Sequence, residues 1–265
     1  MDFERQARAV EAEVRRIAAF QLGAFRNLSP DDVHTKRDAS GDPSVVTRYD
    51  IESEAMFLDW VRREFPGHGF VGEETGNHPG DPAHTWIVDP IDGTANFAAG
   101  ISIWGASVAY WRDGAPLFAC IFLPALNQMF TAARGQGAFL NGRVIRASTA
   151  REYSWQTTVG LDSRAHTRHV LRLEARLRIL GSAIANLCYT ANGMFAASVT
   201  RGKLWDVAAG VLVLEESGAV VESAPDLTTL SAATYAIANT PTPSITMSAR
   251  GNVHLPPLAG YLHRV

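Results

Sequence analysis

Cysteine is scarce in this chain, two residues among 265, and Cys120 and Cys188 both stand among apolar neighbours. A disulfide framework and a thiolate metal site are excluded, and both residues read as small buried hydrophobes. No apolar run approaches the ~18 residues of a membrane span. The opening MDFERQARAVEAEVRR is too charged for a secretory segment, so a cytoplasmic protein, off the membrane, is the default expectation. Blocks of like charge are missing as well. Lys and Arg number 24 against 27 Asp and Glu, a net charge of -3, which leaves a nucleic-acid or membrane-surface role without electrostatic support. There is no GxSxG elbow, no phosphate-binding Walker loop and no GxGxxG, since Gly135, Gly137 and Gly142 have the wrong spacing. The eight histidines are scattered without an HExxH arrangement, and His166 and His169 are expected on a solvated helix face.

What remains is an ordinary soluble composition, 46% hydrophobic and 19% charged. Its length suits one large domain or two intimately packed halves. Apolar positions Ala7, Val10, Val14 and Ile17 recur at helical spacing from Phe3 onward. Asn27–Ser44 has breakers and no periodicity, and reads as an exposed loop carrying one cation of interest, Lys36. Thr47 is the expected N-cap of a second helix that ends near Phe65-Pro66-Gly67. Gly69–Glu74 is expected as a short strand; were it extended throughout, Glu73 and Glu74 would point to opposite sides.

Ile101–Trp111 and Pro116–Leu123 read as a hairpin, followed by strands at Met129–Ala133, Gly137–Leu140 and, after Asn141-Gly142, Arg143–Arg146. Past Ala150 the pattern changes. A strand at Thr157–Leu161, helices at Thr167–Leu177, Leu180–Met194 and Asp206–Ser217, and strands at Val220–Glu222 and Tyr235–Ala238 are expected. The division is therefore an α+β half with antiparallel sheet over 1–150 and an α/β half over 151–265, together one compact unit.

The stretch WIVDPIDGTANF, Trp86–Phe97, organises the rest. Trp86, Ile87 and Val88 look like the end of a buried strand, and the run stops at Asp89-Pro90 because proline fixes its own φ and biases its predecessor. Gly93 permits a sharp reversal, and Thr94 is placed to cap a short helix over Ala95–Phe97. Each feature alone is an ordinary turn or cap. Concatenated after an apolar strand, they put two carboxylates on a constrained turn beside a helix start. Carboxylates gather hard divalent cations and helix N-termini gather phosphate, which suits metal-assisted phosphoryl chemistry. Asp206, at the start of an apolar helix, is a capping aspartate that also offers a third carboxylate; Glu73 offers a fourth.

GEE at Gly72–Glu74, DPIDGT at Asp89–Thr94 and WDVAAG at Trp205–Gly210 resemble the motifs of the inositol monophosphatase family, in its order and at similar spacing. GEE alone is a weak signal; DPIDGT followed much later by WDVAAG is a specific pair. The likeness runs from the N-terminal helix to about Asn239. It implies a layered αβαβα sandwich, usually a homodimer, with Mg²⁺-dependent, lithium-sensitive phosphatase activity on a small phosphorylated metabolite. It further implies two to three Mg²⁺ ions: Glu73, Asp89 and the Ile91 carbonyl at the first, Asp89, Asp92 and Asp206 at the second, Glu73 touching a weaker third. Thr94, paired with Asp50, would orient the attacking water, and the Gly93 and Thr94 N–H groups would meet phosphate oxygens. Asp92 and Asp206 would also line the substrate.

Two departures qualify this transfer. The Lys36 loop is slightly longer before Thr47 than the commonest family pattern; Lys36 is expected on a mobile lid over the metal site, with a solvated loop lysine as the bland alternative. The acid that takes substrate hydroxyls in the family's inositol phosphatases is replaced by Thr200, or by Val199 if the gap moves, with Arg201 and Lys203 close by. An inositol-1-phosphate-like monoester leads, with histidinol phosphate, a sugar phosphate or a 3′-phosphonucleotide as alternatives. A metal-binding but inactive regulatory homologue is the alternative of another class; the intact set Glu73, Asp89, Asp92, Asp206, Thr94 and Asp50 argues against it.

Overall fold

The structure, a computed structural model, describes residues 3–37, 43–223, 228–229 and 245–264. Helix α1 (Phe3–Ala24) buries Val10, Val14 and Ile17, the stripe its sequence spacing predicts. Helix α2 (Arg48–Glu64) begins at Thr47, whose N–H is taken by Asp50 in a capping box, and turns Phe57, Trp60 and Val61 inward.

Both helices cover one face of an eight-stranded sheet. Its order is β10 (Arg143–Val144), β9 (Gly137–Leu140), β8 (Gln128–Ala133), β7 (Ala115–Leu123), β6 (Gly105–Arg112), β5 (Asp81–Asp92), β3 (His68–Gly72) and β4 (Gly76–His78). The sheet is antiparallel, as expected of this half, except that β3 runs parallel to β5. The hairpin turns are tight because Asp113-Gly114 and Asn141-Gly142 each place two consecutive residues at positive φ, 52° and 76°, 49° and 75°.

Strand β5 divides its side chains between two cores by simple alternation. Trp86 and Val88 face α1 and α2, whereas Ile87 faces α5 (Ala183–Ala191) and α6 (Leu204–Ser217). Those two helices lie between the first sheet and a second, six-stranded one. The second sheet's order is β13 (Arg176–Ile179), β11 (Thr158–Leu161), β14 (Ala197–Gly202), β17 (Ile245–Arg250), β15 (Val220–Ser223) and β16 (Thr228–Thr229). Beyond it Val159, Leu161 and Val199 pack on Ala165 of the one-turn helix α4 (Ala165–Arg168) and on Leu255 and Leu258. The αβαβα layering is present, with its last layer reduced to short turns.

Several local expectations need correction. Asn27–Ser44 is not a plain loop: β1 (Val33–Arg37) and β2 (Pro43–Thr47) pair as an antiparallel hairpin. A ribbon with β1 largely exposed shows no period-two pattern, which is why the sequence hid it. The helix expected over Thr167–Leu177 is α4 followed by β12 (His169–Leu171), paired with β18 (Leu262–Arg264), and then by β13. The leucine spacing there fits a helix, but the parallel ladder of β13 with β11 overrides it and leaves Leu177 exposed. His166 and His169 thus do not share a helix. The strand expected at Tyr235–Ala238 lies outside the described residues.

Candidate active site

The site forms where β5 ends, and the local chemistry explains how. The strand does not stop at Asp89; it continues through Asp92 across a register shift between the two. Pro90 has no N–H to give to a ladder, so it sits where pairing is interrupted. Its carbonyl accepts the Gln21 side-chain amide at 2.8 Å, and the Ile91 N–H closes on Asp89 Oδ1 at 3.0 Å. Gly93, at φ 81°, is the residue that precedes α3 (Thr94–Ala98), so it and not Thr94 holds the cap position. A Cβ on Gly93 would meet the Ile103 carbonyl at 3.1 Å, so a side chain is both strained and crowded there.

Thr94 is released from capping and does something else. Its Oγ lies 2.9 Å from Asp50 Oδ1 and 2.9 Å from the Ile91 carbonyl. Asp50 is held from the other side by the Thr47 N–H and hydroxyl at 2.8 and 2.5 Å. Burial raises the Asp50 carboxyl to about 7, against these stabilising hydrogen bonds.

Around this pair the predicted carboxylates converge. Glu73, Asp89 and Asp206 each bring one oxygen within 4.8 Å of the others. Asp89 is fully buried and, among the described residues, its Oδ2 has no hydrogen-bond partner. Burial first, and then the charges of Glu73 and Asp206, push the Asp89 carboxyl well above the ordinary range; Asp206 moves the same way through burial, Glu73 and Asp92. Asp206 is not the cap of α6 but its third residue, and its Oδ2 accepts the Lys203 N–H at 2.5 Å in a capping box. Gly202 makes room for it: a Cβ there would lie 2.3 Å from Asp206 Oδ2.

Asp92 is placed differently. It accepts the Ser182 hydroxyl and the N–H groups of Ala183 and Ile184 at 3.1 and 3.3 Å, at the start of α5. Burial lifts it to about 6, and those donors work against the rise. Glu73 and Glu74 do not diverge as extended residues would, because β3 ends at Gly72. Both reach Lys36 Nζ, at 3.0 and 2.5 Å. Lys36 therefore lies on β1, in ion pairs against the carboxylate cluster. Thr200 is 1% exposed within β14, and among the described residues its Oγ1 has no hydrogen-bond partner.

The donor set is all oxygen, it carries an orphaned carboxylate oxygen, and its charges repel one another. That fits a hard divalent cation and not a soft one. A sequence profile described as the Inositol monophosphatase family matches residues 5–250. The chain belongs to the inositol monophosphatase family. An inositol-1-monophosphatase of Rhizobium meliloti (strain 1021) is 37% identical over 191 residues, covering 67% of this chain and 71% of that protein. Nus factor SuhB of Salmonella typhimurium (strain LT2) is 34% identical over 205 residues, 73% of this chain and 76% of its own. The solved Thermotoga maritima IMPase superposes with a TM-score of 0.79 at 26% identity, over 94% of this chain and 93% of that one. The activity class that follows is phosphoric monoester hydrolase.

Within this inositol monophosphatase family member, sequence reasoning missed two supports. Ser182, which accepts the Ala185 N–H at 3.2 Å as the cap of α5, also binds Asp92. The Gly-Ser before an apolar helix was the available signal. Glu54, fully buried on α2 four residues after Asp50, was the other. An acid one turn from Asp50, on the same helix face, was its signal.

Proposed function

We propose that this chain hydrolyses a small phosphate monoester with water in a Mg²⁺-dependent reaction. The observation that carries the reading is the approach of Glu73, Asp89 and Asp206 to within 4.8 Å around an unpartnered Asp89 oxygen. Like charges held so closely destabilise one another unless a cation joins them. By the family resemblance, Glu73, Asp89 and the Ile91 carbonyl would hold one Mg²⁺ and Asp89, Asp92 and Asp206 a second. Bound there, Mg²⁺ supplies neutralisation of the phosphate, a lowered pKa for water and stabilisation of the leaving oxygen.

The chain's own groups do the orienting. Thr94 Oγ can donate its one proton to Asp50 Oδ1, 2.9 Å away, which leaves its lone pairs for a water. A carboxyl raised to about 7 takes up a proton at neutral pH far more readily than an ordinary one, so Asp50 suits the role of proton acceptor behind Thr94. The Gly93 and Thr94 N–H groups, at the start of α3, are assigned to phosphate oxygens. Lys36 is assigned to a lid on the β1–β2 hairpin, and a homodimer is assigned on the family resemblance.

The substrate reading follows from Val199 and Thr200, which are 2% and 1% exposed and bring no carboxylate to accept substrate hydroxyls. A site built around such an acceptor discriminates strongly; one without it does not. Myo-inositol 1-phosphate is therefore expected to be one substrate among several, with some preference for ligands bearing further acceptor or anionic groups beside Arg201 and Lys203. Comparing kcat/KM over inositol, sugar, histidinol and nucleotide monoesters tests this. A preference for inositol phosphate above about a hundredfold, ~2.7 kcal/mol of transition-state discrimination, would overturn it.

A further inference from the structure

The turn that carries Glu73 is held by a residue outside the cluster of Glu73, Asp89 and Asp206. Glu54 lies on α2, 0% exposed. Its Oε2 accepts the Glu74 N–H at 2.8 Å, and its Oε1 accepts the Thr75 N–H and hydroxyl, both at 2.6 Å. Those donors belong to the residues just after Glu73, in the three-residue turn that joins β3 to β4 and lies outside the ladder pairs that close it at Gly72 and Gly76. A buried carboxylate is costly unless such donors satisfy it, so ordering of the turn and burial of Glu54 depend on each other. The approach is close enough to require glycine. A Cβ on Gly72 would stand 2.3 Å from the Glu54 carboxylate carbon and Oε1.

The same helix face carries Asp50 one turn earlier, bound to Thr94. One rigid element therefore reaches both sides of the site, the Thr94 hydroxyl through Asp50 and the Glu73 turn through Glu54. On the opposite side of that turn Lys36 binds the Glu73 and Glu74 carboxylates. This contact ties two side chains together, whereas Glu54 holds the Glu74 and Thr75 N–H groups inside the turn that the β3–β4 ladder closes.

We infer that Glu54 is a positioning residue, which holds the Gly72–Thr75 turn so that Glu73 completes the cation site with Asp89 and Asp206. The inference rests on the cation-site reading above and extends it to a residue outside the cluster. Groups that orient metal ligands from behind change affinity by about 10–100-fold when removed. Glu54→Gln keeps the side chain's size but sets an amide donor against the N–H donors of the turn.

The test is isothermal titration of the cation-free protein with Mg²⁺ and with Mn²⁺, well below the melting temperature, for wild type, Glu54→Gln, Thr75→Val and Glu222→Gln. Thr75 is exposed, and its replacement removes one of the Glu54 contacts together with a surface contact to His78 Nε2 at 2.8 Å. Glu222→Gln weakens a buried ion pair to Arg250 at 2.8 Å, and is the control for general loss of stability. Glu54→Gln is expected to weaken cation binding at least tenfold, and Thr75→Val about threefold. In Glu54→Gln the metal concentration for half-maximal turnover should rise by more than kcat falls. Glu222→Gln should lower the melting temperature with cation affinity unchanged. Unchanged affinity in both Glu54→Gln and Thr75→Val, with wild type binding normally, overturns the positioning role and leaves the cation site standing. Equal weakening in Glu222→Gln overturns it too. Wild type that binds neither ion removes the cation site itself.

Discussion

Asp89 is the residue on which most of the site's electrostatics meet. It is fully buried, Oδ1 accepts the Ile91 N–H, Oδ2 has no hydrogen-bond partner among the described residues, and the charges of Glu73 and Asp206 act on the carboxyl. Asp89→Asn should therefore abolish Mg²⁺ binding and activity while leaving the melting temperature of the cation-free protein equal or higher, because a like-charge contact has been relieved. A calorimetric titration with normal Mg²⁺ affinity in that variant would contradict the assignment. Thr94 makes a separable prediction. Thr94→Ala removes the hydroxyl between Asp50 and the expected water, and should lower kcat about 10²–10⁴-fold, with a much smaller change in metal affinity. Normal kcat would show that Asp50 and Thr94 take no part in proton transfer.

At the scale of elements, the close contact of α5 and α6 depends on Gly210. An interior helix glycine costs about 1 kcal/mol relative to alanine, and here the cost is offset by the approach of Leu187, whose Cδ1 would lie 2.3 Å from a Cβ at this position. Gly210→Val should force the helices apart and destabilise the fold by about 1–3 kcal/mol, read as a lower denaturant midpoint at unchanged slope. A midpoint matching wild type would show that the contact relaxes freely. The same helices show what the sequence could and could not reveal. Asp206 and the apolar run after it were legible as a helix start, because N-terminal acids and periodic apolar residues are local signals. The cap position was misread by three residues, since Lys203 holds it through its backbone and not through a side chain that the sequence advertises. The DPIDGT turn was legible as a carboxylate platform. Its continuation of β5 was not, because Asp92 pairs with Gly105 of β6 across a register shift, and the Pro- and Gly-containing sequence carries no local sign of that pairing. β1 and β13 were hidden because each takes its stability from a ladder partner: β1 is largely exposed and every residue of β13 is exposed, so neither shows a period of two in the sequence.

Across the whole molecule the two sheets sandwich α5 and α6 in one continuous apolar cluster, from Ile121 and Phe130 on the first to Val221 and Met247 on the second. The two halves share that core, so they are proposed to unfold together; coincident fluorescence and circular-dichroism transitions are expected, and two resolved steps would contradict this. The buried acids set the pH dependence of that stability. Asp50 is raised from 3.8 to about 7, and Asp89 and Asp206 are raised in the same sense. A raised carboxyl binds more protons folded than unfolded, so its contribution is full below about pH 4 and is lost as pH climbs through about 7. The melting temperature of cation-free protein should fall between about pH 4 and pH 7, a range set by the Asp50 shift. Mg²⁺ should restore more of it at the upper end, where the ligands are ionised. A profile that rises over this interval would contradict the burial of these acids. The most direct test of the central claim is inorganic phosphate release by wild type from a panel of small phosphate monoesters, with Mg²⁺ and then with excess chelator. Turnover of several monoesters is expected with Mg²⁺ and none once it is removed; turnover that persists undiminished in chelator would rule out a metal-dependent reaction.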